Sequence, residues 1–246
     1  MVVCTQKKCR KMEGTMRKIG FIGAFDKTDL ILQIAKILTS MGIKTLVIDS
    51  TINQKAKYVV PVINPTTTYV TEYEAFDVAV GFEDFDGIKR YLGLETENLD
   101  YDIALIDTDS SRVFDNFKMK DAQINYFVTS FDLFSLKKGL EILSGLRDNI
   151  KMTKVLYSKY MTNEEDDYLN YLSDEYRIIW DEIKIYFPFE IGDQSAIIEN
   201  QRVSKLKFKN LSNQYKEGLL YMVEQIVGNI TISELKKIMK NIEKGA

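Results

Sequence analysis

The sequence predicts an α/β protein, a mostly parallel sheet flanked by helices on both faces. Three observations predict it. Residues 18–40 change from a strand-type apolar run to helical spacing within one short loop. Two further apolar runs, 44–49 and 101–107, each end in a carboxylate. Strand-type and helix-type segments then alternate along the chain, the pattern of parallel strands joined by right-handed helical crossovers.

The first element, 18–22, is a short apolar run of strand type. From Asp29 onward, Leu30, Ile31, Ile34, Ala35, Ile37, Leu38 and Met41 recur on one broad helical face, which Met41-Gly42 closes. Gly23, Lys27 and Thr28 lie between strand and helix. This is the setting of a phosphate-binding loop: backbone N–H groups and a helix N-terminus converge on an anion, a lysine neutralises charge, and a hydroxyl reaches Mg²⁺. The full pattern G-x-x-x-x-G-K-[ST] is incomplete, because its glycine positions hold Phe21 and Asp26. Asp26 also sets a carboxylate where a nucleotide would bring its own negative charge. Two readings follow, a phosphate site or a plain strand-to-helix turn with a solvated Lys27.

The run 44–49 predicts a second buried strand ending at Asp49, and 50–65 reads as a loop followed by an edge strand or an extended crossing segment. Residues 66–93 interleave acids with Tyr69, Tyr73, Phe76, Phe82 and Phe85 and read as a solvated helix and loop with the aromatics packed inward. The run 101–107 predicts a third strand, delivering Asp107 as a Walker B acid that would hold Mg²⁺ together with Thr28. Strands follow at 125–129, 154–157 and 183–187, and helices at 133–149, 164–175 and 211–227. In such a sheet the ligand lies at the carboxyl ends of the strands, so Lys27, Asp49 and Asp107 are expected to meet there.

Composition bounds the chemistry. A chain of 246 residues with 45% hydrophobic and 28% charged residues supports one domain with a sizeable core, and a net charge of -3 gives no global field for nucleic acid. Histidine is absent, which removes Ser-His-Asp, Cys-His and His-metal chemistry and leaves lysine and carboxylates. Cys4 and Cys9 are too few for a zinc site or a disulfide framework. No apolar run approaches a membrane span and the first residues lack the apolar segment of a signal peptide, so a cytoplasmic protein is expected. The expected organisation is a disordered basic leader at 1–16, a phosphate-loop domain at 17–229 and an amphipathic helix at 230–246.

The serial order of these motifs resembles the ParA/MinD family of deviant P-loop ATPases. Gly23-Ala24-Phe25-Asp26-Lys27-Thr28-Asp29 is similar to the family loop G-G-x-G-K-[ST]-T, and IAKILTSMGIKTLVID and YDIALIDTDSS resemble the segments that follow it. FVTSFDLFSLKKGLEIL and FPFEIGDQSAIIENQ continue the likeness, which covers nearly all of 18–227. The resemblance implies ATP or ADP with Mg²⁺ on residues 23–29, catalytic roles for Lys27 and Asp49, and adenine contacts at Ser158 and Pro188. It also implies a homodimer that positions a cargo: a plasmid or chromosome, or a pilus or secretion apparatus as in the TadZ/CpaE branch. Departures from the family pattern predict weak or no hydrolysis. The signature lysine that reaches a partner's nucleotide falls on Ile22, the water-positioning Asp on Thr51, and the adenine-contacting Asn on Ser158. The alternative is a pseudo-ATPase scaffold that has lost nucleotide.

Two surfaces suit partners. Arg202, Lys205, Lys207 and Lys209 form a short basic stretch that would give weak, non-specific DNA contact or a plain solvated face. Residues 230–244 set Ile232, Leu235, Ile238, Met239 and Ile242 against Lys236, Lys237, Lys240 and Lys244. That stripe would either pack on the domain or a second subunit, or hold the protein at a membrane surface.

Overall fold

The computed structural model describes residues 16–63, 66–94, 98–158 and 163–244. Cys4, Cys9 and nearly all of the expected basic leader lie outside the described residues. Eight strands form one sheet: β1 (Arg17–Ile22), β2 (Thr45–Asp49), β3 (Tyr69–Tyr73), β4 (Phe76–Val80), β5 (Ile103–Thr108), β6 (Ile124–Ser130), β7 (Ile150–Ser158) and β8 (Ile178–Pro188). Their order is β3-β4-β2-β5-β1-β6-β7-β8, and every pairing is parallel except β3 with β4. Every residue of β2 and β5 is buried, because crossover helices cover both faces of the sheet.

One face is covered by α1 (Thr28–Ser40), α7 (Ile191–Val203), α8 (Asn213–Val227) and α9 (Ile232–Glu243). The other carries α3 (Phe85–Leu92), α4 (Ser111–Asn116), α5 (Leu133–Ser144) and α6 (Asn163–Ser173). The crossovers are terminated by the expected devices. Gly42 follows α1 at φ 81°, Gly93 ends α3 in the left-handed region, and Asp84 and Asp132 accept the N-terminal amides of α3 and α5.

The expectation for 66–93 is corrected. Its first half is the β3–β4 hairpin rather than a helix and loop, and only α3 is helical. Tyr69, Tyr73, Phe76, Val78 and Val80 alternate into the core beneath α1, a period of two. Glu74 and Ala75 both hold positive φ, at 51° and 69°, the backbone sign pattern of a tight type I′ hairpin turn. Lys36 of α1 pins that turn through a 2.5 Å ion pair with Glu74. Among the described residues of 50–65 there is no edge strand either; the short helix α2 (Ala56–Val59) stands there, and β3 is the edge.

α9 opens with a reciprocal capping box between Thr231 and Glu234. It then lays Leu235 and Met239 on α1 and α8, with Ile232, Ile238 and Ile242 packed around them. The apolar stripe is therefore already buried against the domain, and Lys236, Lys237, Lys240 and Lys244 face solvent. In this packing no apolar face of the helix is left for a membrane surface.

Candidate functional site

Because β5 lies between β1 and β2, the three strand tips meet. Phe21 and Asp49 are both register partners of Asp107. The chain leaves β1 through Gly23, whose amide donates to the Thr108 carbonyl at 3.2 Å. Gly23 holds φ 136°, and a Cβ there would stand 2.3 Å from the Val128 carbonyl oxygen, so this one glycine of the loop is required by its backbone.

Lys27 turns inward. Its Nζ donates to the Gly23 carbonyl at 2.8 Å and pairs with Asp107 Oδ1 at 2.7 Å, with only 3% of the residue exposed. The solvated-lysine reading of the loop is thereby corrected. Burial raises the Asp107 carboxyl to about 7, and the adjacent ammonium of Lys27 opposes that rise. Asp49 is occupied by its own chain: Oδ1 accepts from the Thr51 amide at 3.1 Å and hydroxyl at 2.6 Å, and Oδ2 from the Ala56 amide at 2.9 Å. These contacts fold the loop after β2 and anchor the start of α2.

The N-terminus of α1 is occupied as well. Asp26 Oδ1 accepts from the Thr28 amide at 3.1 Å, and Asp26 Oδ2 pairs with Lys55 Nζ at 2.5 Å. Lys55 also pairs with Asp29 at 2.8 Å, and the Asp29 carboxylate accepts from Gln201 Nε2 of α7 at 3.0 and 2.8 Å. Phe25 sets its ring 4.6 Å from that of Tyr157, tilted, and 6.0 Å from that of Phe189, edge-on, while Ala24 packs on the opposite core.

Two clefts flank this loop. One, of about 420 Å³, is lined by residues 23–28 with Thr51, Lys55, Asp107 and Asp109. The other, of about 460 Å³, opens between α1, α7 and the ends of β7 and β8 and is lined by Tyr157, Pro188, Phe189 and Tyr215. Phe25, Asp26 and Lys55 border both. Of the two expected adenine contacts, Pro188 lines the second cleft, whereas the Ser158 hydroxyl donates to Glu165 of α6. The two are register partners at the ends of their strands.

Sequence reasoning brought Lys27, Thr28, Asp49 and Asp107 to one place, and missed Lys55 and Gln201. Neither carries a motif, and both reach the loop only through the fold. As arranged, these residues do not fit a Mg²⁺-triphosphate. The loop lysine is spent on Asp107, and the Thr28 amide at the start of α1 faces the Asp26 carboxylate. Ile22, at the signature-lysine position, is fully buried in β1.

No protein-family model matches the sequence, and no curated protein matches it. Solved structures do match. A chain of the MinC:MinD cell division protein complex of Aquifex aeolicus has a TM-score of 0.57 at 12% identity, over 87% of this chain and 97% of that one. A ParA family ATPase of Chlorobium tepidum gives 0.53 at 14%, over 83% and 96%. McdA of Cyanothece, in complex with ATP, gives 0.52 at 10%, over 89% and 99%. At these identities the likeness is one of fold: the chain has the α/β architecture of ParA/MinD-type P-loop ATPases, as its motif order implied.

Proposed function

We propose that this chain is a degenerate ParA/MinD-type protein of a positioning or partition system, acting as an interaction scaffold with weak or no ATP hydrolysis. The observation that carries the reading is the self-occupied loop: Lys27 is paired with Asp107 and Asp26 sits on the first turn of α1. Phosphoryl transfer needs a lysine, donors and a metal site aimed at the phosphates. Here the lysine and a helix N-terminal amide are directed at the chain's own carboxylates. Thr51, at the water-positioning place, uses its hydroxyl to hold Asp49.

The rim at the carboxyl ends of the strands supports a docking role. Ile52 and Tyr58 after β2, Leu133 and Phe134 after β6, and Ile191 after β8 are all largely exposed, apolar side chains that a partner docked at this end would cover. A homodimer across this rim, with a protein partner of a pilus, secretion or partition assembly, is the arrangement we assign. The exposed Arg202, Lys205, Lys207 and Lys209 would add only salt-sensitive DNA contact. A second reading, a nucleotide-controlled weak ATPase binding ATP or ADP with Mg²⁺, is favoured by the retention of Gly23, Lys27, Thr28 and Asp107 at one strand-tip cluster.

Phosphate release and sedimentation of the purified full chain, with and without Mg²⁺·ATP and beside Lys27→Ala, separate the two. The scaffold reading expects background phosphate release and no change in mass on adding ATP. Turnover typical of ParA/MinD ATPases, or an ATP-dependent dimer lost in Lys27→Ala, overturns it.

A further inference from the structure

The disagreement between the loop and the ligand of its fold has a specific agent. We propose that Asp26 is a built-in anion, clamped by Lys55, that keeps the loop closed in place of a nucleotide phosphate and excludes any external one. This rests on reading residues 23–28 as a phosphate loop by descent.

Three observations carry it. The first is position. Asp26 stands at the last glycine place of the motif, immediately before the lysine, and its Oδ1 accepts the Thr28 amide at 3.1 Å. That amide belongs to the helix N-terminus on which an anion would be bound. The second is the clamp. Lys55 arrives from the loop after β2 and bridges Asp26 and Asp29, and Gln201 of α7 holds Asp29 from the far side. One web thus ties the loop after β1, the loop after β2 and α7 together without a ligand. The third is the wall. Phe25, Asp26 and Lys55 border both clefts, so they separate the space beside Lys27 and Asp107 from the aromatic space beside Tyr157 and Pro188. A nucleotide would have to occupy both at once.

Charge works in the same direction. In the cleft beside Lys27, Asp26, Asp107 and Asp109 stand against Lys27 and Lys55, and Lys27 is already engaged by Asp107. A polyphosphate entering here meets like charge on several sides. The Asp26–Lys55 pair is partly exposed, at 50% and 33% of its side chains, so solvent screens it and the clamp is releasable.

The test is calorimetric titration of the full chain with Mg²⁺·AMPPNP and with pyrophosphate, for the wild type, Asp26→Gly, Asp26→Asn and Asp26→Gly/Lys27→Ala. Glycine adopts either sign of φ and so fits the Asp26 backbone, and circular dichroism checks that each variant folds. Removing a like charge and freeing the amide should tighten binding by at least ~10-fold in Asp26→Gly. Asp26→Asn, which loses the charge and keeps an acceptor on the amide, should gain less, and the double variant should lose the gain. Amide exchange at Thr28 should quicken in Asp26→Gly. A folded Asp26→Gly that binds no more tightly than wild type overturns the proposal while leaving the scaffold reading intact. Where both bind tightly, the scaffold reading falls as well if wild type shows turnover typical of ParA/MinD ATPases or an ATP-dependent dimer that Lys27→Ala loses.

Discussion

Gly23 and Lys27 show how different a residue's meaning becomes once its neighbours are known. Gly23 is held by φ 136° and by the Val128 carbonyl, 2.3 Å from where a Cβ would be. Gly23→Ala should therefore destabilise the chain by about 2 kcal/mol or more, read as a lower urea midpoint at unchanged m. An unchanged midpoint would show that β6 yields at little cost. Lys27, Thr28 and Asp107 were legible from spacing alone, because a phosphate loop and an acid-tipped strand are local patterns. Their use was not legible. Nothing in the motif says that Lys27 is paired inward, or that Asp49 is consumed by Thr51 and Ala56. Lys55 lies 29 residues from Asp26 and Gln201 lies 172 from Asp29, separations at which no periodic signal exists.

The parallel strands were legible as elements because burial on both faces demands continuous apolar runs. The β3–β4 hairpin was not. Its strands are only five residues each, and its turn uses Glu74-Ala75 in place of the usual Asn-Gly. α7 escaped for a different reason: its buried positions include Asp193 and Asn200, so it has no apolar stripe. α5 offers a test of helix-end electrostatics. Asp132 accepts from the Ser130 hydroxyl and the Ser135 amide, which hold its carboxyl down at about 2. Its folded value is below the unfolded one, so its contribution is present above about pH 4 and lost as pH falls toward 2. Asp132→Ala should cost about 1 kcal/mol at pH 7, the ordinary worth of an N-cap. Wild type and variant should converge by pH 2, as measured by urea denaturation across that range. A constant gap would assign the loss to something other than the carboxylate.

For the molecule as a whole, the question is what the last helix does. α9 buries Leu235 completely and Met239 nearly so against α1 and α8. Leu235→Ala should cost about 2–4 kcal/mol, the usual loss for a core leucine, seen as a fall in thermal midpoint of the full chain. With its stripe buried, the full chain should remain at the bottom of a flotation gradient with anionic vesicles, and migration with the lipid would show that α9 undocks. The sequence by itself determined the parallel α/β architecture and the clustering of Lys27, Asp49 and Asp107 at one end of the sheet. It could do so because apolar runs, helical periods and strand-tip acids are local consequences of burial. Only the tertiary structure decided that Asp26 lies on the first turn of α1 under Lys55, and that α9 is docked rather than free. Those outcomes depend on charges and surfaces brought together from distant parts of the chain, where Coulomb pairing and burial are settled by the packed fold.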